Sequence, residues 1–189
     1  MKILTASKRT LALSHLLSGA ALLVLGMLPV ASNAANGTIT FNGVLTAPTC
    51  TINSGTPSFT VALPSTNTAP LVTAAATTGQ TNFNINLSGC GNTPQNVYAF
   101  FTGANINATT GNLINTGTAT NVEVQLLNGA DSSVINLAGA SGSQNSTQIT
   151  TNTSGTGTLS YTARYYSTGG VGATPGTVAT TVDYTIVYP

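Results

Sequence analysis

Apolar and polar residues alternate through most of the chain after residue 35, which is the pattern of β-strands that bury one face. The clearest run covers residues 82–89, where Phe83, Ile85 and Leu87 alternate with asparagines. Further alternating or bulky apolar runs predict strands at residues 59–63, 97–101, 122–127, 159–166 and 178–188. No helical period is sustained in this part of the chain. Many short strands separated by turn residues predict an all-β sandwich.

Turn signals define how the strands follow one another. Asn128-Gly129 stands between the apolar runs 122–127 and 134–137 and predicts a hairpin. The stretch 139–157 is rich in Ser, Thr, Asn and Gly and holds a short predicted strand around residues 148–150. The sequence shows no repeat of fixed period and no linker long enough to separate two domains, so one sandwich domain is predicted.

The N-terminus has the features of a secretory signal. Lys2, Lys8 and Arg9 precede an apolar run at residues 11–30, and Ser32-Asn33-Ala34 offers small residues for cleavage. The alternative is a membrane anchor, because the apolar run is near the length that spans a bilayer. The small-residue site favours a signal peptide at residues 1–34 and a mature chain that starts at Ala35.

Charged side chains make up only 4% of the chain. Beyond the predicted signal they are Arg164, Glu123, Asp131 and Asp183. A nucleic-acid partner is therefore excluded, because phosphate neutralisation requires a basic patch. With 41% hydrophobic residues, the composition also disfavours a disordered chain.

Two cysteines, Cys50 and Cys90, remain in the predicted mature chain. An even cysteine count in an exported protein predicts a disulfide, and the alternative is two separate buried thiols. The single histidine, His15, lies within the predicted signal peptide. We therefore expect neither a metal site nor a cofactor.

Catalytic machinery is absent from the predicted mature sequence. Without histidine, and with both cysteines oxidised, neither histidine acid–base chemistry nor a thiol nucleophile is possible. The remaining carboxylates do not suggest a catalytic pair: Asp131 follows a turn signal, and Glu123 and Asp183 are predicted on polar strand faces. The sequence predicts a protein that is not an enzyme.

One set of motifs is specific for a protein family when the motifs are taken in order. These motifs are Ile39-Thr40-Phe41-Asn42-Gly43-Val44-Leu45, Pro48-Thr49-Cys50, the run from Phe83 to Cys90, the run from Tyr161 to Tyr166, Pro175-Gly176 and Tyr188 next to the last residue. In this order and spacing the chain resembles the pilins of the chaperone–usher pathway, the structural subunits of type 1 and P-like fimbriae. The resemblance covers essentially the whole predicted mature chain.

The resemblance implies an incomplete immunoglobulin-like β-sandwich that lacks its final strand, at residues 49–189, preceded by an N-terminal donor-strand extension at residues 35–48. The implied donor face is Ile39, Phe41, Gly43, Leu45 and Ala47. The implied acceptor groove and chaperone-binding edge is Val178, Val182, Tyr184, Ile186, Tyr188 and Pro189. Gly43 matches the family's glycine, which enters a shallow pocket where strand exchange begins.

The implied partners are other pilin subunits in a homo- or hetero-polymer, a periplasmic chaperone and an outer-membrane usher. The resemblance also implies export through the periplasm to a fimbria that supports cell adhesion. The chain departs from the family pattern at its last residue, because Pro189 has no N–H to donate to a chaperone strand. The sequence indicates no particular host receptor.

Two other functions fit parts of the pattern. The run at residues 39–47 could pair within its own chain as the first strand of a complete sandwich, and Tyr188 could be an ordinary core aromatic. The chain would then be a self-contained secreted immunoglobulin-like binding module, which predicts folding without residues 35–48. The other alternative is a tip receptor-binding subunit, but tip adhesins of the resembling family carry an extra domain before the pilin domain. A mature chain that opens directly with a donor-like strand favours a shaft or adaptor subunit.

Overall fold

The computed structural model of the chain describes residues 40–43 and 49–189. Residues 40–43 belong to a unit that ends at Val44, and residues 49–189 belong to a second unit. The second unit contains short 3-10 turns at Asn53–Gly55 and Ala69–Leu71. Its strands are β1 Thr51–Ile52, β2 Thr77–Ser88, β3 Asn96–Thr102, β4 Leu113–Ile114, β5 Val122–Asn128, β6 Ile149–Thr150, β7 Gly157–Ser167 and β8 Asp183–Val187.

The strands of the second unit form two antiparallel sheets. The larger sheet has the order β1-β2-β7-β5-β4, and the smaller has the order β6-β3-β8. No α-helix occurs in residues 40–43 or 49–189, and accordingly no helix there is long and apolar enough to cross a membrane. The prediction of an all-β sandwich is confirmed.

Alternate side chains of the long strands form the core between the sheets. Ile85 and Leu87 of β2 pack with Val97 and Phe101 of β3, and Tyr161 of β7 lies edge-on to Phe101 with ring centroids 5.3 Å apart. Polar partners of the same strands face outward; Asn86, for example, is exposed. The period-two pattern places one face of each strand in the core because successive side chains point to opposite sides of a strand.

A β-bulge bends β2 near its start. Thr78 is paired with Tyr165 and Thr81 with Ala163, so two residues of β2 lie opposite one residue of β7. Gly79 has a φ of +67°, and a Cβ there would lie 2.7 Å from the Tyr165 ring. Glycine is required because the backbone is left-handed and Tyr165 occupies the space a side chain would need.

Several predicted strands differ from the observed ones. The predicted strands at 97–101, 122–127 and 159–166 correspond to β3, β5 and β7. The run at 59–63 alternates as predicted, but it belongs to no sheet in the described part of the chain. The predicted hairpin returns after Asn128, but its second arm makes only one bridge, Leu127 to Val134, instead of a strand.

The last predicted strand, 178–188, is paired over less than half its length. β8 begins at Asp183, and the preceding residues are held by the 115–119 loop instead of a strand. Thr116 N donates to Ala179 O at 2.8 Å, and Ala119 N donates to Thr177 O at 3.0 Å. Alternation records which side chains are buried and carries no information about what the backbone pairs with, so it overestimated this strand.

The expectation that Glu123 lies on a polar strand face is wrong. Glu123 is only 5% exposed, and its carboxylate accepts hydrogen bonds from Asn107 Nδ2 at 2.6 Å, Thr110 Oγ1 at 2.7 Å and Asn112 Nδ2 at 3.1 Å. The 107–112 loop covers this face of β5 and supplies the donors that a buried carboxylate requires. Asp131 does occupy a turn, where it accepts from Ser133 N at 3.0 Å.

Candidate strand-binding groove

An elongated cavity of about 750 Å³ opens along one side of the sandwich. One wall is the unpaired segment 57–63, which we call the groove wall, and the other wall is the segment from Val178 to Tyr184. Apolar core residues from both sheets form the floor, namely Ile85, Phe101, Leu113, Val124, Leu126 and Ala163. The cavity therefore reaches into the hydrophobic core between the sheets.

Alternate side chains of the groove wall pack toward the core. Val61 and Leu63 are half-buried, whereas the intervening Ala62 is exposed. The Phe59 ring lies 6.1 Å from Phe83 of the larger sheet and 6.3 Å from Tyr184 of the smaller one. These apolar contacts hold the segment extended across the opening between the sheets.

Both walls present backbone groups that are not paired within the described residues. Residues 58–63 make no backbone–backbone hydrogen bond to any residue that the structure describes. On the opposite wall, β8 pairs with β3 along one edge, from Asp183 to Val187, and has no strand on its other edge in the described chain. An apolar trough between two open backbone edges has the geometry that accepts an extended strand.

Two tyrosine hydroxyls fix the ends of the groove wall. Tyr184 OH donates to Pro57 O at 2.6 Å, and Tyr165 OH donates to Pro64 O at 3.2 Å. Burial raises the pKa of both hydroxyls above the ordinary tyrosine value. They stay protonated at neutral pH and keep their role as donors.

The structure places the predicted groove residues in two groups. Val178, Val182 and Tyr184 line the cavity. Ile186 and Tyr188 lie further along the same side, packed against the core, and Pro189 is exposed at the end. One continuous alternating face therefore contains the five apolar residues, but only the first three border the open space.

Most of the predicted donor face lies outside the described residues. Ile39, Leu45 and Ala47 are not described, whereas Phe41 and Gly43 are. Phe41 is 89% exposed, and a Cβ placed on Gly43 would meet no atom within 4 Å. Roles for these residues in strand donation remain predictions.

The predicted disulfide is confirmed, since Cys50 and Cys90 are bonded. It ties the residue before β1 to the residues that follow β2. Ile52, two residues after Cys50, lines the groove, and the Cys50 amide contacts the Tyr188 hydroxyl. The disulfide and this hydrogen bond therefore join the start of β1 to the residues after β2 and to the residue after β8.

Two contributors to the groove were missed by sequence reasoning. The run 59–63 was predicted only as a strand, and its alternating sequence gives no signal that it stands outside both sheets. The second is Gln144, whose buried side chain bonds Phe101 N and O on the groove floor at 2.9 and 2.7 Å. Nothing in the local sequence distinguishes Gln144 from the exposed polar residues around it.

The groove offers recognition by shape and by backbone hydrogen bonding. Its only ionisable lining groups are Asp183 and tyrosines, and no group of three or more metal-ligating side chains occurs in residues 40–43 and 49–189. The fold and the groove together define a class of protein: an immunoglobulin-like sandwich with an open edge beside an apolar groove.

Comparisons with known proteins give the family. The family model described as "Fimbrial protein" matches residues 39–189, and the chain belongs to this family. The major fimbrial subunit SMF-1 of Stenotrophomonas maltophilia is 44% identical over 87% of this chain and 99% of the relative. The type-1 fimbrial protein A chain of Escherichia coli is 33% identical over 89% of this chain and 96% of the relative.

Solved structures agree on the fold. A chaperone–usher pilus matches with a TM-score of 0.55 at 19% identity, covering 82% of this chain and 96% of that one. The P pilus rod subunit PapA matches with a TM-score of 0.54 at 15% identity, covering 74% of this chain and 99% of that one. At these identities the likeness concerns the fold alone.

The family and fold establish the role. The chain is a structural subunit of a bacterial surface fimbria, exported to the cell surface as part of that fimbria. The resemblance stated from the sequence motifs is confirmed, and so is the immunoglobulin-like fold that it implied.

Proposed function

We propose that this subunit polymerises by donor-strand exchange, with residues 35–48 of one copy occupying the groove of the next. The observation that carries the proposal is the apolar groove between two open backbone edges. An inserted strand would supply hydrogen-bond partners to both edges and fill the cavity above the floor. Signal cleavage after Ala34, and a pilin domain that starts at residue 49, are parts of the same proposal.

The dimensions of the two elements agree. The unpaired residues 58–63 of the groove wall could pair with about 20 Å of an extended strand. The alternate residues Phe41, Gly43, Leu45 and Ala47 repeat at the spacing of side chains on one face of a strand, about 7 Å. A strand of this length therefore places several side chains along the floor, and Gly43 suits a shallow position.

The same groove is the reason for a periplasmic chaperone. While the groove is empty, the Phe59 side chain is 42% exposed beside unpaired strand edges, a combination that promotes aggregation. A chaperone strand in the groove protects this surface, and an outer-membrane usher then delivers the subunit to the fibre. The function needs no catalysis, and we propose that the subunit is not an enzyme.

The test compares two forms of the chain by urea denaturation. One form is residues 49–189 alone, and the other, the self-complemented form, carries Ala35–Pro48 after Pro189 through a flexible linker. We expect only the self-complemented form to be monomeric and to unfold cooperatively. If residues 49–189 alone unfold with the same midpoint, the sandwich is complete and a self-contained binding module becomes the better account.

A further inference from the structure

The chain contains three Asn-Gly dipeptides, at residues 36–37, 42–43 and 128–129, and the two that the structure describes lie in opposite environments. Asn42 and Gly43 are both exposed, and a Cβ built on Gly43 would meet no atom within 4 Å. Asn128 is only 2% exposed, and a Cβ on Gly129 would lie 2.9 Å from the backbone of Ser160. Glycine after asparagine leaves the following backbone nitrogen unshielded, so exposed Asn-Gly pairs are prone to deamidation.

Hydrogen bonds fix the Asn128 pair. Asn128 Nδ2 donates to Ser133 Oγ at 2.9 Å and to Asn145 O at 2.6 Å, and Asn128 Oδ1 accepts from Thr147 N at 2.8 Å. Gly129 N donates to Ser160 O at 2.8 Å. The attacking nitrogen and the attacked amide are therefore both held by other partners. Asn42 makes no side-chain hydrogen bond to a residue that the structure describes.

We propose that Asn42 is a site of spontaneous deamidation in the unassembled subunit. The backbone nitrogen of Gly43 loses its proton and attacks Cγ of Asn42, a C–N bond forms, and ammonia leaves from the side chain to give a succinimide. Water then opens the ring. Cleavage of the bond from nitrogen to Cγ gives aspartate, and cleavage of the bond from nitrogen to the backbone carbonyl gives isoaspartate. The net change is one water consumed and one ammonia released.

The isoaspartate product carries a consequence for assembly, which rests on the proposed function. Its main chain runs through Cγ and is one carbon longer between residues 42 and 43. A strand binds with strict alternation, so one extra backbone atom shifts every following side chain relative to the preceding ones. Phe41 and Leu45 can then no longer bind in the groove of the next subunit at the same time. Deamidation at Asn42 thus limits how long an unassembled subunit remains competent to donate its strand.

The first experiment follows the modification itself. Unassembled subunit and fimbriae from one culture are incubated side by side at mildly alkaline pH, and peptide mass spectrometry locates Asp and isoAsp. In the unassembled subunit we expect modification at residue 42 and none at residue 128. In the fimbriae we expect less modification at residue 42 than in the unassembled subunit. An Asn42 that stays intact in the unassembled subunit overturns the inference. Equal modification in subunit and fimbriae supports the chemistry and counts against burial of the strand, and hence against the proposed function.

The second experiment measures assembly. Fresh subunit and incubated subunit, both as the full chain with an open groove, are left to polymerise separately. The yield of polymer is then compared. Incubated wild-type subunit should lose yield, whereas incubated Asn42→Gln should keep it, because residue 42 lies on the face opposite the predicted donor face. Wild-type subunit that carries isoaspartate and still polymerises like fresh subunit overturns the assembly consequence. Equal yield loss in Asn42→Gln assigns the loss to another cause and also overturns it.

Discussion

The backbone amide of Cys50 donates a hydrogen bond to the hydroxyl of Tyr188 at 2.7 Å. This contact joins the disulfide, at the start of the sandwich, to the residue just after β8, a separation of 138 positions in the chain. Tyr188 is therefore more than an apolar member of the alternating face, because its hydroxyl satisfies a partly buried amide.

Loss of this contact is testable with Tyr188→Phe. The substitution keeps the ring and leaves the Cys50 amide without its partner, so we expect the free energy of unfolding to fall by about 1 kcal/mol. Urea denaturation of the self-complemented form measures it. Tyr98→Phe is the control, since Tyr98 OH contacts Ser141 Oγ at an exposed position and should change stability by about 0.5 kcal/mol or less. Equal losses of unfolding free energy in the two variants would show that the Tyr188 hydroxyl contributes no more to stability than an exposed tyrosine hydroxyl.

The disulfide should account for a large share of stability. Cys50 and Cys90 close a loop with a sequence separation of 40, which corresponds to about 4 kcal/mol in the chain-entropy model. We expect the double variant Cys50→Ser, Cys90→Ser to unfold at a much lower urea concentration and to accumulate less at the cell surface. Stability unchanged by reduction of the wild-type protein would contradict this.

Gln144 takes the place of a neighbouring strand near the C-terminal end of β3. Its amide bonds the backbone of Phe101 in both directions and also donates to Leu137 O at 2.8 Å, and the side chain is 2% exposed. Gln144→Ala leaves these buried groups unpaired, so we expect a loss of about 3 kcal/mol in the self-complemented form. The control is Gln148→Ala, at an exposed position in the same loop, which should be near neutral. A near-neutral Gln144→Ala would show that water replaces the amide.

The tyrosine contacts of the groove wall can be removed without changing the rings. Tyr184→Phe and Tyr165→Phe abolish the hydrogen bonds to Pro57 and Pro64, and we expect faster amide hydrogen exchange at residues 58–63 in the self-complemented form. Tyr166→Phe is the control, because its hydroxyl has no hydrogen-bond partner among the described residues. Unchanged exchange in both variants would mean that apolar packing alone positions the wall.

The predicted donor face is tested by moving one bulky side chain by one residue. Gly43→Leu places a large group on the face that enters the groove, and we expect polymer yield to fall strongly. Asn42→Leu places the same group on the opposite face and should leave polymerisation near the wild-type level. Electron microscopy of surface fimbriae measures both. Normal fimbriae from the Gly43→Leu variant would show that residue 43 does not contact the groove.

The sequence predicted well whatever depends on alternation and on composition. The apolar faces of β2 and β7 could be identified because both strands are long and alternate over much of their length, and β3 and β5 because they are short runs of bulky apolar residues. The disulfide followed from two cysteines in an exported chain, and the face from Val178 to Tyr188 was correctly assigned as apolar. Alternation sufficed for these features because it is a local property of the backbone.

The partners of each backbone edge and each buried polar group were decided by the tertiary structure alone. The run at 59–63 has the same pattern as a sheet strand, yet it stands unpaired as a groove wall. Glu123 stands between two valines and Gln144 among exposed polar residues, but both side chains are buried where other segments of the chain pack against them and provide their hydrogen-bond partners. Periodicity specifies which side of a strand faces the core, whereas pairing and burial depend on which distant segments pack beside it.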